Sequence, residues 1–364
     1  MSSESYSRPV SSVGATGREM ELSGNWRKSI SSIATPTGYG AEAPNVTEAP
    51  AAGPQVFSWE GCVLSASSSI FWTLLALTVK LSPATAMAKL LFHVSVGVFV
   101  GIMTCMGGVS VPYGALNAQF ALFFRSILVV TSLFTRLFAL RYLTLVDSFV
   151  LSSVSPMLFL GSQCITRGRS SMIFVQLLPM SMTIAAFCMV VLSNLVYRTG
   201  QGEDTGLFSL GFGLSITSSV LRAITRYFAD LTSGIPKAVL IFHWSLVALF
   251  ASCCMAASLD RPWQLFDEHD MGVMVFIAKI SFASVYFLDK ARDLESYAMT
   301  NIFLYVIDLA VSCAMAKLLL GEATGTLSYA AAGLVAVSVI ISEISGLIEE
   351  AKIKQEEGAW SRAF

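Results

Sequence analysis

Charge is scarce in this chain. Only 13% of its 364 residues are Asp, Glu, Lys or Arg, against about 25% in a typical soluble domain. No basic block of the kind a phosphate backbone requires is present, which excludes a nucleic-acid partner. The seven cysteines (62, 105, 164, 188, 253, 254 and 313) sit in or beside apolar stretches. Without a CxxC or a Cys/His cluster, neither structural zinc nor a disulfide framework is expected, and the cysteines read as small apolar packing residues. No GxSxG, HExxH, P-loop or dinucleotide fingerprint occurs. Three scattered histidines assemble no catalytic constellation. An enzyme is therefore not expected, and neither catalytic residues nor a cofactor or metal is assigned. With no ATP-hydrolysing domain, any transport would run on gradients or exchange. The N-terminal stretch has no apolar core behind a basic end, so it does not read as a cleavable signal peptide.

Hydrophobic residues are abundant, at 54%. A bilayer core needs roughly 20 apolar residues in a helix. Ten stretches meet that need: 62–81, 90–111, 120–140, 143–164, 172–197, 206–230, 236–258, 271–289, 296–320 and 327–348. The predicted fold class is an all-α membrane protein, its ten transmembrane helices arranged as two inverted five-helix repeats. The predicted parts are a tail over 1–56, repeats over 57–200 and 201–348, and a tail over 349–364. The first tail is rich in Ser, Thr, Ala, Gly and Pro and is expected to be disordered. Lys and Arg near the span ends favour a cytosolic N-terminus, while acids gather on the opposite side. An even span number puts both tails in the cytosol, so the Asn45-Val46-Thr47 sequon should stay unmodified.

The two halves share residues. Leu64, Ser65, Ser68, Ser69 and Leu81 recur as Leu214, Ser215, Ser218, Ser219 and Leu231, at an offset of 150. Asp147-Ser148-Phe149 opens the fourth span and Glu295-Ser296-Tyr297 the ninth, at an offset of 148. Two matches at nearly one offset argue for duplication. Because five is odd, the second copy must enter the membrane from the other side, a recurrent device of secondary transporters.

A run of motifs also resembles a known family. Phe124-Arg125-Ser126-Ile127, then Phe138-Ala139-Leu140-Arg141-Tyr142-Leu143-Thr144-Leu145-Val146-Asp147-Ser148, then Ser155-Pro156, resemble the first-repeat core of the drug/metabolite transporter superfamily. More narrowly they are similar to its EamA domains and to the solute carrier 35 group, G-type members especially. In the second half, Leu318-Leu319-Leu320-Gly321-Glu322 and then Gly333 are similar to the family's ending of the ninth span and its glycine in the tenth. The first half departs from that pattern, carrying Gly168-Arg169 where Gly-Glu would stand. The resemblance implies a multi-pass carrier of small organic solutes.

Charges inside apolar spans are costly and tend to face cavities or partners. Asp308 lies midway along the ninth span, with Tyr305 one turn before it. A carboxylate there would bind a proton or a cation, or pair with an arginine. Arg222, Arg226 and Asp230 share one face of the sixth span, where Arg226 and Asp230 are placed to pair and Arg222 lies deeper. An arginine fork suits a phosphate or carboxylate; snorkelling to the surface is the alternative. Arg125 opens the third span, matching the family's arginine as an anchor, and Arg136 lies on its outer half. Lys279 and Lys80 are weaker candidates for an anion pocket. His93 and His243 read as interior histidines, Asn194 and Asn301 as interhelical donors, and Glu343 as facing the headgroups. Gly211 and Gly213 read as helix-packing glycines.

The leading expectation is a carrier moving a small organic solute, anionic or zwitterionic, by alternating access in a plasma, Golgi or ER membrane. A nucleotide-sugar exchanger of the secretory pathway is a narrower version. A non-transporting adaptor or an embedded enzyme stands as the alternative from another class. The expected partners are the small-molecule substrate and the lipid bilayer, and a homodimer is compatible with this architecture.

Overall fold

In the computed structural model, the described residues are 58–82, 87–105, 119–159, 170–201, 205–232, 235–258, 271–294, 296–322 and 324–363. The expected disordered tail and the Gly168-Arg169 pair lie outside them. The described elements are helical: α1 Trp59–Leu81, α2 Met87–Cys105, α3 Gln119–Ala139, α4 Leu145–Ser152, α5 Ser170–Gln201, α6 Thr205–Leu231, α7 Lys237–Ala257, α8 Met271–Leu294, α9 Tyr297–Leu318 and α10 Thr326–Ala363. Among the described residues, nine are long and apolar enough to cross a membrane. The tenth, α4, resumes after a turn and reads as a shorter apolar helix, Leu145–Phe159. Large hydrophobic side chains such as Phe120, Ile184, Val196 and Phe250 are exposed on the outside. Such a surface suits lipid rather than water, and this is an integral multi-pass membrane protein.

The helices begin and break where the chemistry dictates. Ser58, Thr144 and Ser296 each cap a helix by accepting a hydrogen bond from the backbone N–H three residues on, in α1, α4 and α9. The break in α4 falls at Ser153 and Val154, just before Pro156. A proline ring cannot donate to the ladder and disfavours a helical residue before it. Next to the break, the Phe149 carbonyl accepts the Ser153 N–H at 3.1 Å and also the Ser152 and Ser153 hydroxyls.

The packing brings distant parts of the chain together. The α1 helix lies against α8 and α9, α3 against α6 and α7, α2 against α7 and α8, and α5 against α10. Two crossings are held by reciprocal serine pairs. Ser68 Oγ donates to the Ser284 carbonyl at 2.8 Å and Ser284 Oγ to the Ser68 carbonyl at 3.1 Å. Ser132 Oγ and Ser218 Oγ do the same at 2.9 and 2.8 Å. A hydroxyl that satisfies itself on a neighbouring backbone lets two helices approach closely in an apolar setting. Glycine does so at α2 and α8: a Cβ on Gly97 would lie 2.4 Å from the Ala278 carbonyl oxygen, and one on Gly101 would lie 2.2 Å from the Phe282 ring. Of the two glycines read as packing residues, Gly211 meets Tyr142, whereas Gly213 faces open space.

Candidate functional site

One buried face of α1 carries Ser65, Ser68, Ser69 and Thr73, at helical spacing. Ser65 Oγ donates to the Thr300 carbonyl at 2.9 Å, and Ser69 Oγ donates both to the Leu304 carbonyl and to the Asp308 carboxylate. These bonds seat α9 against α1 and bring Asp308 into the centre of the bundle, where it is 3% exposed. Trp72 lies one turn beyond Ser69. Its ring stacks under the Arg136 guanidinium, whose Cζ is 4.9 Å from the Trp72 centroid and 4.8 Å from that of Phe149. The guanidinium is thus held between two aromatic faces, a favourable contact of about 2 kcal/mol or more when desolvated.

The serine crossing of α3 and α6 fixes what lies around it. Arg136 is four residues past Ser132, and Arg222 is four residues past Ser218 on the oppositely running helix. Their Cα atoms are therefore about 12 Å apart along the bundle axis, one on each side of the crossing. Both side chains reach inward, where Arg136, Arg222 and Asp308 interact electrostatically. Tyr305 lies in the same group. Its hydroxyl accepts from Arg226 Nη2 at 2.9 Å, and Arg222 acts on it electrostatically. Arg226 lies 6.0 Å from the centroids of both Phe159 and Tyr305. Arg136 and Tyr305 are 3% and 2% exposed, whereas Arg222 and Arg226 are half-buried. The cluster is thus deepest at Arg136 and more open at Arg226.

Arg136 and Arg222 both act on Asp308, so among these three described groups two guanidinium charges meet one carboxylate. Two donors have no acceptor. Arg136 Nη2 and Trp72 Nε1 are both buried without a hydrogen-bond partner among the described residues. An unpaired buried donor costs about 1–3 kcal/mol, and more when charged. The arrangement can therefore bind anionic oxygens, and favourably so.

No family model matches this chain. No curated protein matches it either. A solved structure described as "Crystal structure of protein" superposes with a TM-score of 0.48 at 13% identity, covering 78% of this chain and 96% of that chain.

Of the residues singled out in the sequence, Arg222, Arg226, Tyr305 and Asp308 come together. Arg125 does not join them: its Nη1 donates to Thr232 Oγ1 at 2.6 Å, tying the start of α3 to the end of α6. Lys279 is exposed on α8, beside exposed Val275 and Phe276, on the face away from buried Ile277 and Ile280. Lys80 pairs with Glu322 at 3.0 Å, and Glu322 Oε2 also accepts from the Leu145 N–H at 2.8 Å. Glu343 does not face the headgroups. It is buried and accepts from Asn301 Nδ2 at 2.9 Å, because α9 brings an amide to that depth. Asn194 likewise donates to Asp147 at 2.9 Å. His93 is buried, with Nδ1 2.7 Å from the Lys89 carbonyl. The Asp230 side chain lies outside the described residues. Trp72, Phe149 and the inward course of Arg136 were missed. One signal pointed to Trp72: it occupies the position of Arg222 at the same 150-residue offset that pairs the serines.

Proposed function

We propose that this chain is a carrier that moves a small organic anion across its membrane by alternating access around the arginine cluster. The two buried donors awaiting an acceptor, Arg136 Nη2 and Trp72 Nε1, carry this reading. A permanently buried, unpaired guanidinium is expensive. A ligand anion would relieve that cost each time it enters.

The inverted duplication expected from the sequence agrees with the same reading. The Ser68–Ser284 and Ser132–Ser218 crossings pair equivalent positions, since Ser218 follows Ser68 by 150 residues and Ser284 follows Ser132 by 152. Each crossing thus joins one half to the other, as a pseudo-two-fold would require. Two such halves can rock about a central site. The Lys80–Glu322–Leu145 contact draws α1, α4 and the α9–α10 connection together at one end. At the other end, half-buried Arg222 and Arg226 mark the approach. With both tails in the cytosol, that approach is from the cytosolic side. The resemblance to the drug/metabolite transporter superfamily agrees with a carrier.

Reconstitution into proteoliposomes tests the proposal. Uptake of organic anions should be saturable and should exceed that of neutral or cationic solutes. A charged hydrogen bond contributes about 1.5–3 kcal/mol. Arg222→Ala should therefore lower flux roughly 10- to 100-fold at normal expression and insertion, and Arg222→Lys should restore it only in part, since an ammonium lacks the bidentate fork. Full flux through the alanine variant would leave Arg222 a snorkelling residue and remove it from the site.

A further inference from the structure

We infer that Ser155 is a further contact for the bound anion, its hydroxyl placed beside Arg222 to share one anionic group with it. Ser155 is fully buried, and its Oγ has no hydrogen-bond partner among the described residues. With Arg136 Nη2 and Trp72 Nε1 it makes three unpartnered donors around the centre, from three separate helical segments. The inference rests on the anion-binding reading above and adds a residue which that reading does not use.

The missing partner has a local cause. Buried serines of this bundle commonly return the hydroxyl to the carbonyl four residues earlier, as Ser95, Ser126 and Ser281 do at 2.7 to 2.8 Å. For Ser155 that carbonyl belongs to Leu151, and it accepts from Ser219 Oγ of α6 at 2.9 Å. The α1–α9 crossing has the same form with a different outcome. There Ser69 Oγ donates to the Leu304 carbonyl, and Asp308, four residues past Leu304, accepts from the same hydroxyl. Ser155 stands four residues past Leu151 in the same way, but it brings a hydroxyl instead of a carboxylate and stays unpaired.

The crossings also fix its depth. Ser65 and Ser69 donate to the Thr300 and Leu304 carbonyls, so α1 and α9 run parallel. Trp72 is three residues past Ser69 and Asp308 four past Leu304, which sets them at about one level, and Arg136 meets both. The α4 segment and α6 have a single span between them in the chain, so they too run the same way. Arg222 is three residues past Ser219 and Ser155 four past Leu151, and these share a level by the same count. A carboxylate or phosphate has more acceptor lone pairs than one guanidinium fork takes up, and a neighbouring hydroxyl donates to one of the rest. The shared chemistry is therefore an oxyanion, carboxylate or phosphate, gripped by Arg222 and Ser155 together.

The test is thermal unfolding of the purified full chain in detergent, alone and with acetate, succinate, inorganic phosphate or 3-phosphoglycerate. Wild type is compared with Ser155→Ala and Ser155→Cys. Removing an unpaired buried hydroxyl deprives the ligand-free protein of no bond, so Ser155→Ala without probe should melt at the wild-type temperature or above it. Its affinity for the tightest-binding probe should fall about tenfold, as for a lost hydrogen bond to a charged group. Ser155→Cys keeps the volume with a weaker donor and should fall between the two. Whether the tightest probe is a carboxylate or a phosphate tells which oxyanion is held. A ligand-free alanine variant that melts below wild type would mark a structural hydroxyl and overturn the proposal. Unchanged affinity in that variant would overturn the Ser155 contact and leave the Arg222 reading standing. No shift of wild type with any probe would sink the anion reading and the Ser155 contact together.

Discussion

Asp308 is the acid among the groups that meet at the centre, and its surroundings are specific. Ser69 donates to it from α1, Arg136 and Arg222 act on it from α3 and α6, and Tyr305 precedes it by one turn. In the proposed carrier, a carboxylate so placed would take a proton as the arginines take an anion, and release it as the anion leaves. Asp308→Asn keeps an acceptor for the Ser69 hydroxyl but removes the titration. We predict that this variant loses any dependence of net uptake on a proton gradient and still exchanges internal for external anion. The measurement is turnover per folded molecule across pH, with and without the gradient. An unchanged pH profile at normal turnover would remove Asp308 from the mechanism and leave it a structural partner of Ser69.

At the scale of helices, most of the architecture is legible in the sequence because lipid imposes a simple requirement: backbone groups must pair internally over about 20 apolar residues. The fourth span is the exception: the sequence marks 143–164 as one span, whereas the chain turns at Ser153 and Val154 and leaves a shorter apolar helix, Leu145–Phe159. The face each charge presents is harder to read. Lys279 and Asp308 both sit midway along apolar helices, yet one is exposed and the other buried. Lys279 shares its face with Val275 and Phe276, whereas Asp308 stands on a face completed by serines of α1, so only the packing separates them. The meeting of Arg136 with Trp72 and Phe149 joins three helices and has no local signature. Close helix approach gives a second prediction. Gly97→Val forces side-chain atoms into the Ala278 backbone and should lower stability by about 1–3 kcal/mol. Gly213→Ala, with nothing near its added methyl, should be neutral or stabilising by up to about 1 kcal/mol. Thermal unfolding in detergent compares them; equal melting temperatures for the two variants would contradict the α2–α8 contact.

Taken whole, the molecule joins its two halves through a few polar contacts in an otherwise apolar bundle, and these contacts differ in exposure. The serine crossings are buried and uncharged, suited to persist while halves move. The Lys80–Glu322 pair is 16% and 17% exposed, at one end of the bundle, and Glu322 also faces the N-terminus of α4, where the helix dipole favours an acid. Such a pair holds weakly in water and more strongly once partly desolvated, so it is fit to make and break. If it closes one end of the carrier, fastening it should stop the cycle without touching the anion site. We predict that Lys80→Cys combined with Glu322→Cys, joined by a short bifunctional thiol reagent, abolishes flux and that a reducible linker restores it on reduction. Anion binding at the Arg222–Arg226 end should survive the cross-link, because it is reached from the other end. Separate binding and flux measurements on the same preparation distinguish a latch from a general loss of structure. Normal flux through the cross-linked protein would show that this end does not open during transport.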